Sequence, residues 1–513
     1  MARKILFVTA DQQRYDALGC NGGKVARTPV IDGLARAGVN YARAHCQNVV
    51  CMPSRSTMLT GQYARTHGVR MNGVPLPADA PSVAQYLREQ AGYRTALIGK
   101  AHFEPVLDLQ QAFYENRMAR LGETGPHRGF EHLELAMHGG MGPWHYPAWL
   151  RSTRPELVGA YYPVLLLPSF EQNVAGGGDT GAVQVKHNPI PRGCYHTDWV
   201  ADRAVAWLDA LPEDADWFLW LSFPDPHHPW DPPQSELGRV DWRALPLPAG
   251  YPGSSDRVRA ILAAKPRHWL DWYEGRLVTN FEAPAKFVPA AFGADQIREI
   301  NAMAHIKNEL IDEALGRVLA RIAARGWEAE TDVLYTSDHG EFQGDFGLLF
   351  KGPYHVDALM RVPLVWRPAP AEAVAPARIA APVGHVDLTP TFCAIAGLPP
   401  PPWMQGTALP ASPQAAAAQR RERVFTEWSS DINDIELHLR TLYRDGYLCT
   451  VCDPGSLHDG SEGELYDLGE DPLQWRNLWS EPGRQALRAE LVADLEAHTP
   501  PARAQKLRRV APV

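Results

Sequence analysis

No stretch of this 513-residue chain is apolar for long enough to span a bilayer, and none has the apolar core of a secretory leader. Arg3 and Lys4 precede an apolar run, but it covers only Ile5 to Ala10 before Asp11 stops it. These absences point to a cytoplasmic chain with no membrane partner. Positive charge is not in surplus either: 50 Lys and Arg face 59 Asp and Glu, a net charge of −9, so the basic footprint of a nucleic-acid partner is missing. An anion-binding site remains compatible with that balance, because a site is set by its local field. Seven cysteines, an odd count in so long a chain, do not read as a disulfide framework. Cys449 and Cys452 form a C-x-x-C, yet no second pair and no nearby His pair completes a zinc site, and Tyr447 to Cys452 reads as a strand. Internal repeats and low-complexity tracts are also lacking. What remains is a globular chain of ordinary composition, 45% hydrophobic and 21% charged, long enough for one large domain plus a smaller one.

What the chain does have is a series of apolar runs that each end in polar groups. Lys4 to Ala10 ends in Asp11-Gln12, and Tyr93 to Gly99 runs out into Lys100-Ala101-His102. Trp217 to Phe223 leads to Pro224-Asp225-Pro226-His227-His228, and Asp332 to Ser337 leads to Asp338-His339-Gly340-Glu341. Continuous apolar runs of this kind are buried, parallel strands. Helical patterns lie between them at Ser82 to Gln90, at His196 to Asp209 (capped by Thr197 or Asp198), and at Ile297 to Gly326. The polar groups on the last, Asn301, His305, Asn308 and Glu309, are read as packing and solvent contacts. The expected fold is α/β, with a large, mixed, mostly parallel central sheet flanked by helices. The carboxyl ends of its strands form one edge, where ligands bind. Acid and amide oxygens at Asp11-Gln12 suit a hard cation. Lys100 and His102, two apart on an extended chain, point the same way.

From Glu104 to about Arg192 the pattern weakens, with frequent Gly, Pro, His and Trp. This stretch is read as a substrate-shaping lid, mobile around Gly176 to Gly181. Pro410 to Gln419 reads as a linker that divides a catalytic domain, 1–412, from a C-terminal α+β subdomain, 413–513. The latter has strands at Val424 to Trp428, Thr441 to Tyr443 and Tyr447 to Cys452, and a helix from Pro482 to His498.

The centre of this organisation is Asn48 to Gly61, a loop that turns into a helix. Pro53 suits the first turn and Gly61 the exit. Cys51 then sits at a helix N-terminus, where the macrodipole favours an anion, with Arg55 one turn on. Taken alone, Cys51 can also be read as a buried small hydrophobe at a helix start. The C-x-P-S-R spacing is too short for the C-x5-R loop of a cysteine phosphatase.

Cys51-Met52-Pro53-Ser54-Arg55 instead matches the modification signature of the type I sulfatases of the alkaline phosphatase superfamily. The chain resembles that family from Asp11 to Glu464-Leu465-Tyr466-Asp467-Leu468. The resemblance implies an alkaline phosphatase-like fold and a Cys51 oxidised to formylglycine by a formylglycine-generating enzyme. The aldehyde hydrate attacks sulfur and passes through a covalent sulfoenzyme hemiacetal. One divalent metal ion, calcium with manganese as the alternative, is implied on Asp11, Gln12, the Cys51-derived residue, Asp338 and His339. Arg55, Lys100 and Lys351 would stabilise the sulfate oxygens, and His227 with Lys351 would assist the departing oxygen. His102 would take the proton that allows collapse to the aldehyde, and Asn72 would contact substrate. The implied activity is arylsulfatase-like hydrolysis of a small-molecule sulfate ester, and a homo-oligomer is compatible with it. Two departures stand out: Gln12 where many members have Asp, and His339 where many have Asn. Related phosphonate monoester hydrolases share Asp-Gln but generally lack Lys-x-His, so Lys100-Ala101-His102 favours sulfate. A phosphonate monoester or phosphodiester hydrolase on the same site and a non-catalytic anion-binding protein are the alternatives.

Overall fold

Strand β1 (Lys4–Asp11) is buried along its whole length, because both of its faces are covered, and it lies in the middle of the largest sheet. The computed structural model describes residues 3–106, 112–140, 142–162, 176–278 and 287–511. The other strands of that sheet are β2 (Val39–Tyr41), β3 (Arg94–Gly99), β4 (His132–Leu135), β5 (Trp217–Pro226), β6 (Thr331–Ser337), β7 (Leu364–Arg367) and β8 (Ala377–Ile379). Their order is β8-β2-β7-β6-β1-β5-β3-β4. β1 pairs in parallel with β5 on one side and β6 on the other. β7 alone runs against its neighbours β6 and β2. The expected mixed, mostly parallel sheet is therefore what forms, and Asp11, Lys100, His227 and Asp338 all fall at or just past the carboxyl ends of β1, β3, β5 and β6.

Helices cover both faces. α1 (Cys51–Thr60) begins at Cys51 and ends at Gly61 in left-handed backbone (φ 70°), with every residue buried. α2 (His196–Ala210) packs against α3 (Ala294–Ala324), and both contact β5. The expected cap of α2 is not made: Tyr195 holds the N-cap position, and Thr197 turns its hydroxyl to Asp225. The weak-pattern stretch also carries more structure than expected. It contains β4 and the helices Tyr114–Leu121 and His145–Thr153. Gly176–Gly177 pairs with Ala182–Val183, and the Glu299 carboxylate binds the amides of Asp179 and Thr180 at 2.6 and 2.9 Å, which ties down the turn read as mobile. The parts of the lid reading at 107–111, 141 and 163–175 lie outside the described residues.

The C-terminal meander consists of β9 (Arg423–Ile432), β10 (Ile435–Arg444), β11 (Tyr447–Asp453) and β12 (Gly463–Asp467), antiparallel throughout, with α4 (Gln485–His498) packed on β10 and β11. The stretch read as a linker holds a short helix, Pro413–Ala418, because the Ser412 side chain caps it and four alanines follow Pro413-Gln414. Cys449 and Cys452 are free, buried and in separate apolar clusters, as their spacing on β11 requires. Among the described residues no helix is long and apolar enough to cross a membrane.

Candidate active site

Cys51 enters the strand edge at the first residue of α1. Its Sγ lies 3.2 Å from His339 Nε2 and 3.7 Å from Asp11 Oδ1. Ligand atoms of Asp11, Cys51, Asp338 and His339 fall within 4.8 Å of one another, all buried. His339 Nδ1 is 2.9 Å from the Gly340 carbonyl, which can only accept, so Nδ1 carries the proton and the Nε2 lone pair faces the cluster. Asp338 Oδ1 accepts from the amides of Gln12 and His339 at 2.9 and 3.0 Å, which fixes that carboxylate.

Burial, then the charge of Asp338, pushes the Asp11 carboxyl up to about 6. Burial alone would raise Asp338 as well, but positive charge, first that of His339 whenever its Nε2 is also protonated and then that of Arg55, holds it well below the usual carboxylate range. Two buried carboxylates aimed at one point, with an imidazole lone pair beside them, make an acceptor set that fits a divalent cation. Burial, then Asp11, also pushes the Cys51 thiol far above its usual value. The thiol is therefore protonated and is not a thiolate nucleophile.

Three cations border this cluster. Arg55 donates from Nε to Asp338 Oδ2 at 2.9 Å and from Nη1 to Lys100 O and Ser222 Oγ, both at 2.8 Å. Its Nη2 lies 3.8 Å from Asp11 Oδ2 and makes no hydrogen bond among the described residues. Lys100 Nζ donates to Asp11 Oδ2 and lies 3.1 Å from His138 Nε2. Lys351 Nζ donates to Gln12 Oε1 at 2.6 Å and lies 2.7 Å from His227 Nε2. Gln12, in left-handed backbone (φ 65°), thus turns its amide oxygen to Lys351 and its nitrogen to Glu341 and His228.

His227 stacks on His138 with ring centroids 3.9 Å apart and planes 15° apart. Its loop is held from below by Lys307, which donates to the carbonyls of His227 and Pro229 at 2.8 and 2.7 Å and pairs with Asp225 at 2.8 Å. Replacing Lys307 with Met is expected to cost about 3–5 kcal/mol, because the buried Asp225 loses a partner. Urea unfolding with an unchanged slope would check it; a shift under 1 kcal/mol would count against this reading.

His102 and Asn72 stand differently from expectation. β3 ends at Gly99 in left-handed backbone (φ 110°), where a Cβ would strike Ser222 O. Alternation stops there: Lys100 reaches Asp11, whereas His102 lines a neighbouring small cavity with Glu104, Glu115, Leu135 and Trp144. Asn72 Oδ1 accepts from the Met52 amide at 3.0 Å and so satisfies the open N-terminus of α1. Sequence reasoning missed His138, Lys307 and Ser222, although each had a signal. His138 follows β4, as the other site groups follow their strands, and Ser222 interrupts the otherwise apolar run Trp217 to Phe223 in β5. Lys307 occupies a position on α3 that the spacing of Ile300, Ala304, Ile311, Ala314 and Val318 reserves for the buried face.

A family model described as Sulfatase matches residues 3–398, and one described as N-sulphoglucosamine sulphohydrolase, C-terminal, matches residues 344–500. The chain is 27% identical over 481 residues to the uncharacterized sulfatase YidJ of Escherichia coli, covering 92% of this chain and 82% of that one. It is 24% identical over 489 residues to an arylsulfatase of Clostridium perfringens, covering 93% and 90%. Among solved structures it is similar to the phosphonate monoester hydrolase of Agrobacterium radiobacter, with a TM-score of 0.78 at 23% identity over 96% and 95% of the two chains. At that identity the likeness is one of fold.

Proposed function

Because the chain belongs to the sulfatase family, we propose that it is a sulfuric ester hydrolase acting on a small-molecule sulfate ester at the Cys51 centre. The observation that carries this reading is a buried, protonated Cys51 thiol set among metal-type ligands and within a ring of cations. A thiol in that state is a poor nucleophile, but its position suits a residue oxidised to formylglycine, whose hydrate would supply an oxygen nucleophile. Maturation then needs a formylglycine-generating enzyme as partner. Asp11, Asp338 and His339, joined by Gln12, would hold a divalent cation, which would supply charge neutralisation and activate that oxygen. An imidazole among the donors suits manganese better than calcium, which takes oxygen ligands, and this reverses the order expected from sequence.

Arg55, Lys100 and Lys351 orient the ester and neutralise the charge that develops on its oxygens, a preorganised role that needs no rearrangement. Arg55 Nη2, with no hydrogen bond among the described residues, is the donor most available for this. The 2.7 Å contact between Lys351 Nζ and His227 Nε2 is where a proton is held for the departing oxygen. Lys100 keeps His138 in a stack with His227, which holds that imidazole in place. We assign His102 as the base that completes the cycle, and Asn72 as a positioning residue for the first turn of α1.

The test compares kcat/KM for 4-nitrophenyl sulfate and for a phosphonate monoester on protein carrying the aldehyde. The sulfate should be favoured by about tenfold or more. A phosphonate preference of that size would support the second reading, which Gln12 and His339 favour. Turnover of neither would favour a non-catalytic anion-binding protein. Dialysis against EDTA is expected to remove activity and lower Tm by a few degrees, because a ligand of the native state is lost. Manganese should restore both better than calcium; an unchanged Tm would speak against a bound ion.

A further inference from the structure

Away from the Cys51 centre, the C-terminal sheet, the helix Ala64–His67 and the segment Ala502 to Leu507 enclose a cavity of about 290 Å³. Its walls carry the cations Arg65, Arg70, Arg503 and Lys506 against the carboxylate of Glu427, with His438 beside them in a setting where burial favours the neutral ring. Arg440 and Asp453 also border it, but they bond to each other at 2.6 and 2.7 Å and cancel. Such a concentration of cations stands out in a chain whose net charge is −9.

Two of these guanidinium groups are not satisfied. Nε and Nη1 of Arg65 and Nε of Arg70 are buried, with no hydrogen-bond partner among the described residues. Arg65 Nε is 3.9 Å from Glu427 Oε2, beyond hydrogen-bond reach, while Glu427 Oε1 accepts from the Arg65 amide at 2.7 Å. Burial pushes the Glu427 carboxyl up to about 7, so near neutral pH it is only partly ionised and offsets part of the positive charge. The other nitrogens of Arg70 are occupied, Nη2 by Asp431 at 2.6 Å and Nη1 by the Leu507 carbonyl at 2.7 Å. Buried polar groups are almost always hydrogen-bonded, and those left without a partner call for an explanation. Each open nitrogen here belongs to a fixed charge and is a single N–H donor on a different guanidinium edge, which suits the several oxygens of an oxyanion better than one carboxylate held side-on.

We propose that this cavity is a second oxyanion site, which takes a sulfate, phosphate or carboxylate group between the guanidinium groups of Arg65 and Arg70, whose unsatisfied donors turn to it when it binds. Its inner wall is part of the segment that leads into Cys51. Asn48 lines the cavity, and its amide donates to the carbonyls of Glu427 and Arg70 at 2.8 and 3.4 Å. Just past Arg70 in the chain, Asn72 accepts from the Met52 amide. The oxyanion therefore arrives either as the second acidic group of an extended substrate, which rests on the sulfatase reading, or as a free ion, which does not.

Selenate is the probe. Calorimetric titration should show one selenate more per wild-type chain than per Arg65→Gln/Arg70→Gln chain. An anomalous difference peak should lie between the two guanidinium groups in wild-type crystals soaked in selenate. Equal stoichiometry without such a peak overturns the proposal. If the double variant does not fold, Arg503→Gln on the exposed rim replaces it; weakened binding at the extra site supports the proposal, and unchanged binding together with no peak overturns it. The source of the oxyanion is read from KM. A KM that rises for a disulfated saccharide but not for 4-nitrophenyl sulfate assigns the site to the substrate. Unchanged KM values with selenate binding lost assign it to a free ion.

Discussion

Cys51→Ala is expected to abolish turnover, lowering kcat by about 10⁴-fold or more, as removal of a nucleophile does in other hydrolases. The fold should survive. Cys51 is fully buried but small, and its protonated thiol holds no charge that another group depends on. The loss is one sulfur atom from a site bounded by His339 and Asp11, so stability should change by about 1 kcal/mol. Cys51→Ser separates the two parts of the mechanism. Its hydroxyl can still meet a sulfate ester, but a serine ester lacks the second hydroxyl that would expel sulfate, so release should stop after about one equivalent of alcohol. Steady turnover by either variant would show that Cys51 is not the reacting residue.

Arg55→Ala should have the second largest effect, on stability and on activity together. Arg55 is fully buried and links α1 to the ends of three strands, through Asp338, Lys100 O and Ser222 Oγ. Removing it leaves the Asp338 carboxylate buried with one fewer partner, at an expected cost of about 3–5 kcal/mol in metal-free protein. Added manganese should recover part of that loss, because a cation takes over neutralisation of the same carboxylate. Activity should fall by about 10²–10³-fold even in the metal-loaded variant, since a preorganised donor is gone. Arg55→Lys should rescue little, because an ammonium cannot make the forked set of contacts. Urea unfolding with and without metal, followed by kcat on the same samples, checks both halves. Full activity in a destabilised Arg55→Ala protein would confine Arg55 to a structural role.

Much of the site was legible because strand ends are legible. Apolar runs such as Lys4 to Ala10 and Asp332 to Ser337 end where a polar group must face the sheet edge, and that brought Asp11, Lys100, His227 and Asp338 together before any geometry was known. The start of α1 was equally readable from Pro53 and Gly61. Alternation failed at Lys100 and His102 because Gly99 breaks the extended backbone, a turn that a two-residue period cannot anticipate. Lys307 is legible only from its place on the buried stripe of α3, because a lysine on an amphipathic helix is ordinarily a solvent contact. The long β9–β10 hairpin was truncated in the reading because its turn, Asn433-Asp434, relies on two non-glycine residues at positive φ (51° and 63°). The one signal for His138, its place after β4, is weak because the stretch around it is rich in aromatics and glycine and carries no period. Asn72 was seen as a substrate contact, and only the structure shows what its oxygen holds, the Met52 amide at the start of α1.

The central claim is that Cys51 is the precursor of the nucleophile, and the most direct test is the mass of the proteolytic peptide that spans it. The protein should be produced together with a formylglycine-generating enzyme. The expected peptide has lost one sulfur and two hydrogens and gained one oxygen, and it reacts with a hydrazide. An intact thiol under those conditions, in protein that still hydrolyses sulfate esters, would contradict it.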